Sequence, residues 1–185
     1  INEAVCEVIK RWDVRVGVSI DGNEEHNARR IDHRGNATYD ATVAGIECLR
    51  SRCPDNFSGI LCVVDFMQEP EEVMQSLLDL NPRTVDLLQP FVTHDMVKDG
   101  DDQGVALFGS WMNRAIRYWF AHPQYHGVKI RFIEDAMKAA LGHQPKSDWF
   151  GQRQLTYSIV ESDGAYDLQD QLKVTGSESA RLRSL

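Results

Sequence analysis

The sequence predicts an α/β fold: a partial (β/α) barrel or an open, curved, mainly parallel sheet with outer helices, plus a C-terminal β-hairpin. Three observations carry this. Short aliphatic runs alternate with segments of helical spacing, a rhythm that argues for parallel strands joined by right-handed crossovers. The first such run, Val14-Arg15-Val16-Gly17-Val18-Ser19-Ile20, stops at Asp21-Gly22 and enters a polar loop. A buried parallel strand does this when it delivers polar groups to the open end of a barrel. Near the chain's end, Asp163-Gly164 lies between two strand-like runs and reads as a hairpin turn. Four parallel strands are expected, too few to close a barrel.

Each element has its own warrant. Residues 2–12 place Ala4, Val5, Val8, Ile9 and Trp12 at helical spacing. Residues 14–20 are the first strand and 21–37 a polar loop. Thr38 is the expected N-cap of a helix running to Arg52, with Val43, Ile46, Cys48 and Leu49 on its inner face. Ser58–Asp65 is a second buried strand ending in an acid. Pro70 opens a helix through Leu80, because proline is accepted in a first helical turn and Glu71 and Glu72 suit its positive end. Thr84–Pro90 is the third strand, and a loop holding Thr93, His94, Asp95, Asp99, Asp101 and Asp102 follows. Residues 104–121 form an amphipathic helix, with Leu107, Trp111, Ala115, Tyr118 and Trp119 recurring at helical spacing. Val128–Phe132 is the fourth strand, and Glu134–Leu141 a helix closed by Gly142. The hairpin takes Leu155–Val160 and the residues from Tyr166 onward, and the tail from Thr175 is expected to fray. Two regions follow: a barrel part, 1–150, and the hairpin with its tail, 151–185.

The chain has 185 residues, enough to bury a sizeable core. Its net charge of −8 disfavours nucleic acid, which is bound by neutralising phosphates. No apolar run is long enough for a membrane span. The four cysteines (Cys6, Cys48, Cys53 and Cys62) form no CxxC or paired framework, which suggests a reducing, cytoplasmic compartment. A first residue of Ile1, inside a helical pattern, suggests a piece of something longer.

Val18-Ser19-Ile20-Asp21-Gly22, with His26-Asn27, Arg30, Asp32, Gly35 and Thr38, resembles the fourth strand and following loop of radical S-adenosylmethionine enzymes. The similarity is to the peptide-modifying group related to anaerobic sulfatase-maturating enzymes. It continues through Ile60–Val64, Val85–Pro90 and Val128–Phe132, and ends at Val160-Glu161-Ser162-Asp163-Gly164, which is similar to the hairpin opening the SPASM region. The resemblance implies the second half of a barrel, with S-adenosylmethionine and a [4Fe–4S] cluster as parent cofactors and a peptide or protein as substrate. It implies hydrogen abstraction from a peptide side chain. The family's CxxxCxxC loop, whose thiolates hold the cluster, is absent from this chain, and Gln169 stands where many members have a SPASM cysteine. The isolated chain is therefore expected to be inactive.

On that resemblance Ser19, Asp21 and Arg30 are candidate cofactor-binding residues. Arg30 suits a carboxylate through its planar fork. The plainer alternative has Ser19 and Asp21 capping the turn and Arg30 paired with Asp32 at the surface. Glu134 and Asp135 are candidate catalytic carboxylates, each able to take a proton if burial tunes it, or else simple helix-start acids. Asp65, His94 and Asp95 also point to the open end, while Asp99, Asp101 and Asp102 lack the distal glutamate of a calcium loop. The cysteines read as core or incidental thiols, Trp111, Tyr118, Trp119 and Phe120 as packing aromatics, and no metal site is expected. The rival reading is a non-catalytic peptide-binding or self-associating module, using an exposed sheet edge for homo-oligomer formation.

Overall fold

The computed structural model describes residues 1–90, 102–147, 159–160, 162, 164 and 166–167. Helix α1 (Glu3–Arg11) is capped by Asn2, whose Oδ1 accepts from the Val5 N–H at 3.1 Å. Strand β1 (Val16–Ser19) leads by a polar loop to α2 (Tyr39–Arg52). Then follow β2 (Phe57–Val63), α3 (Pro70–Asp79), β3 (Thr84–Leu88), α4 (Asp102–Ala121), β4 (Lys129–Ile130) and α5 (Arg131–Ala140). The first four strands form one parallel sheet in the order β1-β2-β3-β4. Sequential order with helical crossovers is the half-barrel rhythm expected above. A separate antiparallel pair, β5 (Ile159–Val160) and β6 (Tyr166–Asp167), is the hairpin. Gly164 in its connection has φ +83°, a left-handed conformation that glycine adopts without strain.

The core lies on one face of the sheet. Ile20, Ile60, Cys62, Val64, Val85, Leu87 and Ile130 pack there against Ile46 and Leu49 of α2, Val73, Met74, Leu77 and Leu78 of α3, and Trp111, Met112 and Ala115 of α4. Each fully buried large aliphatic contributes roughly 1.5–3 kcal/mol. Residues of opposite parity (Gly17 and Ser19, Leu61 and Val63, Asp86 and Leu88) are half-buried or exposed on the other face. Near its start β2 carries a bulge: Val16 pairs Phe57 and Gly17 pairs Gly59, which leaves Ser58 without a partner in β1.

Several expectations are corrected. Thr38 precedes α2, but its hydroxyl makes no cap; it donates to the Arg30 carbonyl at 2.8 Å and fastens the preceding loop instead. The expected strand Val128–Phe132 contracts to Lys129–Ile130, and α5 begins at Arg131 rather than Glu134. The reason is spacing: Ile130, Ile133 and Asp135 are all buried, a pattern a continuing strand would not give. In α1 only Cys6 and Ile9 are buried, whereas Val5, Val8 and Trp12 are exposed. In α4 Leu107 is exposed, while Phe108 packs edge-on to Phe66 and Phe132. The Trp111 indole N–H donates to the Gln68 carbonyl at 2.9 Å, which ties α4 to the segment before α3.

Candidate functional site

The carboxyl ends of β1 and β2 are joined by one side chain. The Asp21 carboxylate receives Arg30 Nε on Oδ2 at 2.6 Å and Arg30 Nη2 on Oδ1 at 2.7 Å. Oδ1 also accepts the Val63 N–H at 2.9 Å, and the Asp21 N–H donates to Asn27 Oδ1 at 3.1 Å. A planar guanidinium matches a carboxylate in this two-bond geometry. Asp21 thus ties the loop to the sheet and to Arg30, with both ionic groups only partly exposed. The hydrogen bond to Asp21 holds the Arg30 guanidinium above its ordinary range.

The rest of the loop is tied down locally. Gly22 has φ +128°, and a Cβ there would overlap the His26 ring. The His26 N–H donates to Asn23 Oδ1 at 2.9 Å, and the imidazole is almost fully buried with Nε2 3.9 Å from Glu72. Asn27 is 1% exposed, and its Nδ2 has no partner among the described residues. Asp32 organises its own turn by accepting from the Arg34 and Asn36 N–H groups, and these bonds hold its carboxyl below the usual range. Arg30 therefore pairs with Asp21, not with Asp32 at the surface.

Ser19, the last residue of β1, stands exposed on the face opposite the core. Across the sheet the register aligns Ser19 with Leu61 and Leu61 with Asp86, with Arg131 one residue beyond the Val85–Ile130 pair. Arg131 Nη1 donates to Asp86 Oδ2 at 2.7 Å. This pair borders a shallow depression of about 220 Å³ whose other lining includes Gly17, Gly59 and Thr84. Asp86 and Arg131 were not singled out as site residues from sequence. Alternation gives the signal: Val85 and Leu87 face the core, so Asp86 faces away.

The two candidate catalytic carboxylates differ. Glu134 is half-exposed, with Lys138 Nζ at 4.0 Å. Asp135 is buried and accepts the Lys146 and Ser147 N–H groups at 3.0 and 2.8 Å, with Lys138 at 3.5 Å. Burial disfavours its charge, but the two N–H donors and the Lys138 ammonium outweigh that and lower its pKa. The sign follows: this stabilisation is present above the ordinary carboxylate range and is lost as pH falls through the lowered folded value. Asp135→Asn is expected to cost about 1–3 kcal/mol at neutral pH. The gap from wild type should shrink as pH drops below about 4 in urea unfolding series; a gap constant with pH contradicts this role.

Asp65 caps its own turn through the Met67 N–H at 3.0 Å and lies 3.4 Å from Arg29. Thr93, His94, Asp95, Asp99, Asp101, Glu161, Asp163 and Gln169 lie outside the described residues, as does the Asp102 side chain. Trp111 is buried, Tyr118 and Trp119 are half-buried, and Phe120 is exposed. Among the described residues no three His, Cys, Asp or Glu side chains converge as a metal site, and no helix is long and apolar enough to cross a membrane.

Fold and site together define half of a (β/α) barrel with a braced loop at the open ends of its strands. No family model matches the sequence. Among curated proteins, the chain is 25% identical over 168 residues to the serine-type anaerobic sulfatase-maturating enzyme of Klebsiella aerogenes. That match covers 89% of this chain and 41% of the enzyme. It is also 31% identical over 84 residues to uncharacterized protein sll1766 of Synechocystis sp., over 44% of this chain and 21% of that one. Among solved structures, anSMEcpe with bound AdoMet (S-adenosylmethionine) matches with a TM-score of 0.81 at 19% identity, across 98% of this chain and 50% of that one. The same protein with AdoMet and the Cp18Cys peptide matches with a TM-score of 0.78 at 19% identity, across 92% and 48%. The chain thus spans half or less of the length of these proteins. Its fold is that of half of an anaerobic sulfatase-maturating enzyme.

Proposed function

We propose that the chain supplies the second half of the barrel wall, and part of the AdoMet pocket, in a radical S-adenosylmethionine peptide or protein maturase of the sulfatase-maturating type. One observation carries the reading: an exposed Ser19 hydroxyl at the carboxyl end of β1, beside a loop braced by the Asp21–Arg30 pair. The fold is one whose solved examples bind AdoMet and a peptide.

The residues fit AdoMet in part. Ser19 offers a hydroxyl to the ribose or amino-acid end, beside the depression lined by Gly17, Gly59 and Asp86. Arg30 has both Nε and Nη2 engaged by Asp21, so it serves the pocket chiefly by holding the loop. In the family the sequence resembles, bound AdoMet would supply the group that abstracts hydrogen from a peptide side chain, given a one-electron donor from outside the described residues. Glu134 is the half-exposed carboxylate able to take a proton afterwards, and Asp135, committed to the Lys146 and Ser147 N–H groups, positions α5. A [4Fe–4S] cluster does not fit the described residues: Cys53 and Cys62 are buried, Cys6 and Cys48 contact each other, and no three thiols converge.

Calorimetric titration of the full chain with AdoMet tests the reading. Binding is expected, and Ser19→Ala should weaken it about 3- to 10-fold, the worth of one hydrogen bond. Absence of heat in the wild type, or an unchanged affinity in Ser19→Ala, contradicts it. A second reading, a self-associating or peptide-binding module, is favoured by one feature. Among the described residues β1 pairs only with β2, and beside it α1 exposes Val5, Val8 and Trp12. That reading expects a dimer in size-exclusion chromatography with light scattering, converted to monomer by Trp12→Glu. A monomeric wild type contradicts self-association.

A further inference from the structure

Away from the strand ends, two thiols meet across a helix pair. Cys6 Sγ of α1 lies 3.5 Å from Cys48 Sγ of α2, although 42 residues separate them in sequence. Cys6 is fully buried and Cys48 half-buried, so Cys48 is the more accessible residue of the two. The two helices are held together around this point. Arg52 Nη1 reaches Glu3 Oε1 at 2.5 Å, and a Cβ placed on the buried Gly45 would lie 3.6 Å from the Ile1 nitrogen. The remaining cysteines, Cys53 and Cys62, are both buried. A disulfide needs its sulfurs about 2.05 Å apart, so the two must close from 3.5 Å by about 1.5 Å.

We infer that Cys6 and Cys48 form a reversible disulfide-forming site, with Cys48 the attacked and attacking thiol and Cys6 the resolving one. The co-reactant is a small disulfide such as oxidised glutathione. The Cys48 thiolate attacks one glutathione sulfur, forming a mixed disulfide and releasing one glutathione thiolate. Cys6 then attacks the Cys48 sulfur, closing the Cys6–Cys48 bond, and its proton passes to the departing thiolate, which leaves as the second reduced glutathione. Two protein thiols are oxidised by two electrons, and one oxidised glutathione becomes two reduced molecules. The product staples α1 to α2 behind β1, closing a long loop whose cross-link restricts the unfolded chain.

The test uses the full chain, reduced and then exposed to oxidised glutathione without denaturant. Intact mass is expected to fall by about 2 Da, the two hydrogens lost. Peptide mapping should find Cys6 joined to Cys48 with Cys53 and Cys62 still reduced, and dithiothreitol should restore the original mass. The stapled form should melt at a higher temperature than the reduced form. Cys48→Ser should then show neither mass loss nor a glutathione adduct, and Cys6→Ser should stop at a stable adduct on Cys48. A wild-type chain that keeps all four thiols, stops at the adduct, or pairs other cysteines overturns the inference. Because the mapping is done on the wild type, a variant that fails to fold does not decide the outcome.

Discussion

Gly59→Ala is expected to be strongly destabilising, costing about 3 kcal/mol or more. Two independent causes add here. Gly59 has φ +140°, a backbone conformation that side-chain-bearing residues rarely adopt. An added Cβ would also overlap the Thr84 carbonyl oxygen, and a backbone oxygen in the neighbouring strand cannot swing aside as a side chain can. Relief requires β2 and β3 to part beside the Ile60–Val85 pair, at the centre of the sheet. Gly17 is the contrast. A Cβ there meets only Leu61 Cδ1, at 2.8 Å, the end of a flexible side chain. Gly17→Ala should therefore cost less than half as much. Urea unfolding of both variants checks the pair, and equal costs contradict the register described for β2.

Asp21→Ala is expected to cost about 2–3 kcal/mol, and to release the 22–37 loop before the sheet unfolds. It strips the Arg30 guanidinium of both its bonds, leaves the Val63 N–H without its acceptor, and leaves the open ends of β1 and β2 joined by backbone bonds such as Ile20 N–H to the Leu61 carbonyl. The partial exposure of both ionic groups keeps the figure below that of a fully buried pair. The double variant Asp21→Ala/Arg30→Met should cost clearly less than the sum of the single changes, since much of the single cost is an unpaired guanidinium. Hydrogen exchange read alongside unfolding separates local from global loss. Additive costs, or unchanged exchange in 22–37, contradict the bracing role.

Most of the architecture was legible because buried parallel strands and amphipathic helices have different periods. Ile60–Val64 and Val85–Leu88 are aliphatic runs of strand length, and Pro70-Glu71-Glu72 is a helix start by its chemistry alone. Failures occurred where both periods fit a short segment. Val128–Phe132 alternates like a strand, but Ile130 and Ile133 reach the core together only if the helix begins at Arg131. The exposed side of α1 was illegible for a similar reason: Val5, Val8 and Trp12 are apolar at helical spacing whether or not anything packs on them. At the site, strand-end polarity pointed to Ser19 and Asp21, but no local pattern shows that Arg30 folds back nine residues to Asp21. Such pairing depends on the path of the whole loop. Asp135 is the same case, since its N–H partners lie eleven and twelve residues ahead.

The end of β1 and its braced loop are proposed as part of an AdoMet pocket. Hydrogen–deuterium exchange of the full chain with and without AdoMet tests it at the residues concerned. Slowed exchange is expected in residues 14–35, with little change in α3 or in the hairpin, and the slowing should be reduced in Ser19→Ala. Unchanged exchange across 14–35 at saturating AdoMet, or protection confined to other segments, contradicts the claim.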